Sequence, residues 1–218
     1  MPLAAAGHDV VAVDFDAAML DRARAAWGRA TGRGDPAQPS SRGGTLTIIE
    51  HDLTTLDIPT RFGLAILAFN SLLLLDGRAA QERALNVMRA HLTPGGRAVI
   101  DVWLPTADDL SLYDGRETLD WVRTDTESST RVAKTTQATY DQTTRTAHVV
   151  TTFDEAREGA PEVMTTREDR ICFVGADELV ALAAGAGLEL VTLAGDYAMT
   201  RLSDASERVV LIARVARA

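Results

Sequence analysis

Leu92–Asp101 reads LTPGGRAVID, and the order of its residues decides how the chain is laid out. Ala79–Leu92 has a helical pattern, with Leu85, Met88 and Leu92 recurring on one face. Pro94 cannot continue that helix, and Gly95 and Gly96 turn the chain. Ala98–Trp103 (AVIDVW) then starts a short apolar run. Helix, stop, glycine turn and buried strand form one joint of an α/β sheet. No side chain in the joint is read as catalytic; its value is as a pattern.

Working outward, Asp9–Val13 (DVVAV), Leu46–Ile49 (LTII) and Leu64–Phe69 (LAILAF) are further runs rich in Val, Ile and Leu. Continuous runs of this kind suit parallel strands covered on both faces. Between the first two, Ala17–Arg29 reads as a helix with Asp16 as its N-cap. Met19, Ala23 and Ala26 are expected inward, and Asp21, Arg22 and Arg24 in solvent. Alternation of this kind predicts right-handed βαβ units and a layered α/β sheet. Gly32–Gly44 (GRGDPAQPSSRGG) reads as a mobile loop whose RGD triplet is chance.

From about Leu119 the texture changes. Thr and Val alternate with polar residues over Thr130–Tyr140 and Thr146–Asp154, separated by Asp141–Arg145 (DQTTR). Alternation around a polar turn predicts an antiparallel hairpin with one wet face. Glu162–Phe173 and Leu119–Thr126 are expected to add strands to it. Ala176–Ala186 then reads as a helix stopped by Gly187, and Leu188–Ala194 and Arg208–Val215 as two last apolar strands. The division is a core over 1–104, an antiparallel insertion over 105–174, and a return to the core over 175–218.

Composition narrows the function classes. The chain has 218 residues, 46% hydrophobic and 24% charged, which are ordinary globular values. No apolar run reaches the roughly 18–20 residues of a bilayer span, and no secretory leader is visible, so no membrane partner is expected. The formal charge of −9 opposes phosphate backbones and no dense Lys/Arg cluster offsets it, so nucleic acid is disfavoured and not expected as a partner. Cys172 is the single cysteine, which excludes an internal disulfide and fits a cytoplasmic protein. The four histidines, His8, His51, His91 and His148, show no metal-ligand spacing, so no metal is expected. The sequence carries no signal for an oligomeric state.

Three strand ends carry candidate chemistry. Val11–Asp16 (VAVDFD) places Asp14 just past a buried strand, where a carboxylate can accept from both hydroxyls of a ribose. Nicotinamide-dinucleotide folds use the same device, and a plain loop carboxylate is the alternative. Glu50–Leu53 (EHDL) offers Asp52 to an exocyclic purine amine, with the Leu53 amide as a second contact; a turn Asp satisfying local amides is the alternative. Leu67–Leu75 (LAFNSLLLL) runs its strand into Asn70, which would face a ligand at the carboxyl end of the sheet or start a helix.

Taken in order, VAVDFDAAML, EHDL, FGLAILAFNSLLLL and RAHLTPGGRAVIDV resemble the class I S-adenosylmethionine (SAM)-dependent methyltransferases over about 100 residues. The resemblance implies a Rossmann-like three-layer α/β fold, SAM as cofactor and a small-molecule methyl acceptor, with N-methylation favoured. It puts Asp14 on the ribose and Asp52, with His51 and Leu53, at the adenine. Phe15 and Met19 would line the cofactor, and Phe69 and Asn70 would lie by its reacting end. The insertion would roof the substrate, with Trp103, Tyr113, Trp121, Arg170 and Tyr197 as candidate contacts; aromatic packing and a surface arginine are the alternatives. No general base is assigned.

One departure bears on activity. Members of the family begin with a strand and a Gly-x-Gly-x-Gly loop, whose close approach to the cofactor needs glycine. Here Met1–Gly7 (MPLAAAG) already looks like the end of the following helix. The start is therefore read as a misplaced initiation codon or a fragment, and the strands at Asp9–Val13 and Leu64–Phe69 are each expected to lack an edge partner. Two rival functions stand beside this reading: a catalytically incompetent partner subunit of the same ancestry, which the missing loop supports, and a nicotinamide-dependent oxidoreductase, which shares the acidic strand end but leaves the Pro-Gly-Gly element unexplained.

Overall fold

The computed structural model describes residues 2–31, 43–125, 129–157 and 159–216. The expected mobile loop lies outside them except for Gly43 and Gly44, as does Thr126 at the end of an expected strand. The chain divides into two compact units, Met1–Pro59 and Thr60–Ala218. The boundary falls inside the segment 1–104 that the sequence groups as one core.

In the first unit, a short helix α1 (Pro2–Ala5) precedes strand β1 (Val10–Asp14), helix α2 (Ala17–Thr31) and strand β2 (Leu46–Glu50). β1 and β2 pair in parallel from Val10↔Leu46 to Asp14↔Glu50. Their core is Ala4, Trp27 and Leu46, with Val10, Ala12 and Ile48 packed against it. The inward face of α2 differs from the expected one: Leu20 and Trp27 are buried, whereas Met19 is 47% exposed. Leu20, Ala23 and Trp27 are themselves at helical spacing, so the sequence carried the period but the phase was one residue off. Gly44 admits no side chain, because a Cβ there would run into the Ala4 carbonyl and the backbone of Gly7 and His8.

The second unit opens with β3 (Phe62–Leu67), a 3-10 turn (Ser71–Leu74), α3 (Gly77–Ala90) and β4 (Leu92–Trp103). The αβ joint is tighter than expected: β4 begins at Leu92, directly after the helix, and Pro94 and Gly95 form an irregularity in its pairing with β3. Gly95 has φ 78°, a left-handed conformation that glycine adopts without steric cost. After α4 (Ala107–Ser111) come four long strands, β5 (Asp114–Asp125), β6 (Thr130–Asp141), β7 (Thr146–Arg157) and β8 (Val163–Cys172). They form one antiparallel sheet in the order β5-β6-β7-β8. The sheet buries less than one full face: in its strands only Ala133, Ala138, Ala147 and Cys172 are fully buried, and Leu119, Val163 and Met164 are exposed. Helix α5 (Ala176–Gly185) and strands β9 (Leu188–Ala194) and β10 (Arg208–Val215) finish the unit.

β3, β4, β10 and β9 form the second unit's main sheet, with β3 parallel to β4 and β10 antiparallel to both β4 and β9. Its core includes Ile100, Val102, Val209 and Leu211 from the two middle strands and Leu85 and Leu179 from α3 and α5. Among the described residues β1 pairs only with β2, and β3 only with β4, so each keeps one unpaired edge. On β3 this leaves Leu64 and Ile66 nearly half exposed, at 45% and 48%.

Candidate functional site

In the first unit the acidic strand ends are ordered by their own neighbours. Asp14 is half-buried, and its Oδ1 accepts from the Asp16 amide at 2.9 Å. Asp16 in turn accepts from the amides of Ala18 at 2.8 Å and Met19 at 3.3 Å, which makes it the N-cap of α2. No hydrogen bond among the described residues reaches Asp14 Oδ2. Beside it Phe15 is 77% exposed and Met19 nearly half exposed, an apolar pair without cover. A carboxylate with an oxygen to spare next to uncovered apolar surface suits a nucleoside: hydroxyls on one side, a ring on the other. The residues present therefore fit the ribose end of SAM.

At the neighbouring strand end, Asp52 Oδ1 accepts from the Thr54 amide at 2.7 Å, so this side chain does form the local turn named as the alternative. His51 is exposed and its Nδ1 lies 2.9 Å from the Asp52 carbonyl oxygen, while its own amide donates to the Asp14 carbonyl. Leu53 is half-buried.

The second unit holds a different arrangement. Phe69 and Asn70, just past β3, have φ of 55° and 63°, both in the left-handed region that non-glycine residues rarely enter. Phe69 is 82% exposed. Its amide donates to Oδ1 of Asp101 at 3.0 Å, and Asn70 Oδ1 accepts from the Trp103 amide at 2.7 Å. Asn70 thus ties the turn to β4 with its oxygen, and no hydrogen bond among the described residues uses its amide nitrogen. Asp101 is 1% exposed. Its Oδ2 accepts from the Tyr197 hydroxyl at 2.9 Å and from Arg208 at 3.0 Å. Arg208 also donates to the Tyr197 oxygen at 2.6 Å, and its guanidinium lies 4.6 Å from the centre of that ring. Burial first, and the Asp101 carboxylate second, push the Tyr197 phenol above its ordinary range.

The remaining sequence candidates separate. Trp103 packs edge-on against Phe173 at 5.8 Å, and Tyr140 does the same from the other strand pair. Trp121 faces Phe153 at 6.2 Å and carries Arg123 over its ring. Tyr113 is half-buried, and burial, with help from the charge of Asp109, raises its phenol above the ordinary range. Arg170 pairs with Asp76 at 2.8 Å and lines a cavity of about 340 Å3 together with Arg78, Gln81, Arg145 and Glu178. Of the five, only Tyr197 reaches the polar cluster around Asp101. Asp101 and Arg208 were missed, although one signal was visible: an ionisable residue in the middle of the apolar run AVIDVW has to find a partner.

No family model matches the chain, and no curated protein matches its sequence. Solved structures do. A SAM-dependent methyltransferase from Clostridium acetobutylicum aligns with a TM-score of 0.76 and 16% identity, over 98% of this chain and 78% of that one. The CcbJ methyltransferase from Streptomyces caelestis gives 0.71 and 23%, over 99% and 83%. The sugar N-methyltransferase KedS8 from a Streptoalloteichus species gives 0.67 and 21%, over 95% and 71%. The chain has the Rossmann-like fold of the SAM-dependent methyltransferases. The oxidoreductase reading finds no support in these likenesses and is dropped.

Proposed function

We propose that this protein transfers the methyl group of SAM to a small-molecule nucleophile, with a nitrogen favoured over oxygen or carbon. The observation that carries the proposal is the methyltransferase fold along nearly the whole chain, at identities that fix the fold alone. Two further features support it. Asp14, whose Oδ2 takes no hydrogen bond from the described residues and lies beside exposed Phe15 and Met19, suits a ribose and its base. The left-handed turn at Phe69–Asn70 stands at the carboxyl end of β3, where ligands of open α/β sheets bind. Similar structures include a sugar N-methyltransferase and an amino pentose methyltransferase, which is the ground for preferring nitrogen. A cytoplasmic location goes with the proposal, on the strength of the single cysteine.

SAM supplies an electrophilic methyl on a sulfonium. The protein's part is orientation and a dry, fixed-dipole surrounding, and orientation alone contributes on the order of several kcal/mol. Asp14, Phe15 and Met19 would hold the nucleoside, with Asp52, His51 and Leu53 at its base. Phe69 and Asn70 would meet the amino-acid end. The antiparallel sheet β5–β8 is proposed as the substrate lid, within the insertion 105–174.

The rival reading is a methyltransferase-like subunit without activity. Calorimetric titration with SAM separates the two. Saturable 1:1 binding, followed by methyl transfer from labelled SAM to one member of a panel of amines, carboxylates and phenols, is expected. No detectable binding would sink the enzyme for this chain and leave the partner subunit.

A further inference from the structure

Asp101 is the most completely buried ionisable side chain among the described residues. Its pairing is long-range: the Phe69 amide comes from the end of β3, Tyr197 from the loop between β9 and β10, and Arg208 from the first residue of β10. Burying a carboxylate against a guanidinium that is itself 30% exposed costs several kcal/mol for the carboxylate, and apolar packing of the same volume would hold the sheet as well or better. Sheet stability is therefore a poor account of this triad. A better one lies in what the carboxylate faces. Oδ1 holds the amide of Phe69, the first of two consecutive left-handed residues, and such backbone persists only where the surroundings over-determine it. Core packing does not provide that restraint, since Phe69 itself is 82% exposed. The turn is closed locally by the Ser71 amide and hydroxyl on the Ala68 carbonyl, and two long-range hydrogen bonds, Phe69 amide to Asp101 and Trp103 amide to Asn70 Oδ1, tie it to the carboxyl end of β4. Tyr197 and Arg208 occupy the other oxygen of Asp101 and so fix the rotation of the carboxylate.

We propose that Asp101, locked by Tyr197 and Arg208, is a positioning residue that sets the Phe69–Asn70 turn against which the amino-acid end of SAM rests. The proposal rests on the methyltransferase reading given above. Its logic is that of a supported binding shell: a turn that touches the ligand, a carboxylate that shapes the turn, and a Tyr–Arg pair that orients the carboxylate. It also gives the loop after β9 a role in cofactor binding through a residue that need not touch the cofactor.

The test uses the full chain and SAM itself. Asp101→Ala removes the whole triad and risks misfolding, so Tyr197→Phe, Arg208→Ala and Arg208→Lys are the working variants. Tyr197→Phe deletes one hydroxyl from a ring that is 57% exposed. It is expected to weaken SAM binding about tenfold and to speed hydrogen exchange of the Phe69 amide about tenfold, the worth of one hydrogen bond to a charged group. Exchange of the Leu211 amide should rise much less than that of Phe69, and the melting temperature should fall by only a few degrees. Arg208→Ala should do the same to Phe69, and Arg208→Lys should recover most of the loss. Wild-type Phe69 exchange in Tyr197→Phe and Arg208→Ala, beside normal SAM binding, would overturn the proposal. So would faster exchange spread evenly over β4 and β10, because the triad would then only hold the sheet. A wild-type chain that binds no SAM overturns the methyltransferase reading instead, and the exchange rates then decide whether Asp101 fixes the turn.

Discussion

Asp14, Asp16 and Asp52, which follow the strands of residues 1–59, accept from amides two or three residues away, whereas Asp101 in residues 60–218 is held from 32, 96 and 107 residues away. The two arrangements do different work. A local Asx-type turn costs little loop-closure entropy and can form before the rest of the chain is placed, but it fixes only its own few residues. A long-range carboxylate contributes nothing until three distant segments meet. Once they do, it couples all three, and its loss is felt by each. Asp14 and Asp16 should accordingly act as separable parts, and Asp101 as a joint.

The largest expected effect comes from breaking that joint. Asp101→Ala leaves Arg208, only 30% exposed on its side chain, facing a cavity with no counter-charge. A loss of about 3–5 kcal/mol is expected, read as a lowered midpoint in urea with an unchanged slope. A loss below about 1 kcal/mol would mean that the triad is as dispensable as a surface turn, and the contrast between the two regions would collapse.

The same contrast decides what could be read from the sequence. Strands β9 and β10 match their apolar runs residue for residue, and β6 and β7 match theirs at the N-terminal end, since periodicity and turn residues are local signals. Asp16 as N-cap was legible for the same reason. The phase of α2 was not: Met19 and Leu20 are adjacent apolar residues, and only burial in the folded unit, which takes in Leu20 with Trp27 and leaves Met19 out, selects between them. The joint at Leu92–Gly96 was legible as a turn but not as the first residues of β4, because the pairing with Phe62 that extends the strand is a tertiary contact. Asp101 lay in plain view within an apolar run. Its partners did not, because nothing within ten residues on either side identifies Tyr197 or Arg208.

The first unit gives a middle-sized effect, and of another kind. Asp14→Ala removes a bond to one amide at the surface, so stability should shift by no more than about 0.5 kcal/mol. SAM affinity should fall by about 2 kcal/mol, roughly thirtyfold, if the carboxylate accepts from a ribose. Calorimetry and thermal melts on the same variant separate these. Asp16→Ala should invert the pattern, costing about 1 kcal/mol of stability through the lost helix cap while leaving SAM affinity nearly intact. Equal effects of the two on affinity would show that the loop acts as one unit.

Glu178 combines both regimes and gives the smallest and sharpest comparison. It accepts from the Gly175 amide at 2.8 Å, three residues away, and from Arg145 at 2.6 Å, across 33 residues. Partial burial works against its charged form, but the Gly175 amide and then Arg145 outweigh it and hold the carboxyl below its ordinary range. A carboxylate with a lowered folded value stabilises the protein above the ordinary glutamate range, near 4.3, and that contribution fades as pH falls through the folded value. Both partners are about 43% exposed on their side chains, so solvent and salt keep the contribution below about 1 kcal/mol. Glu178→Gln should therefore lie closest to wild type in stability at pH 3 and furthest from it above pH 5, in urea melts taken across that window. Arg145→Gln in place of it tests the long-range half alone. If the local amide dominates, most of the acid-sensitive stability survives in Arg145→Gln; if it vanishes there, the distant partner governs even where a local one is present.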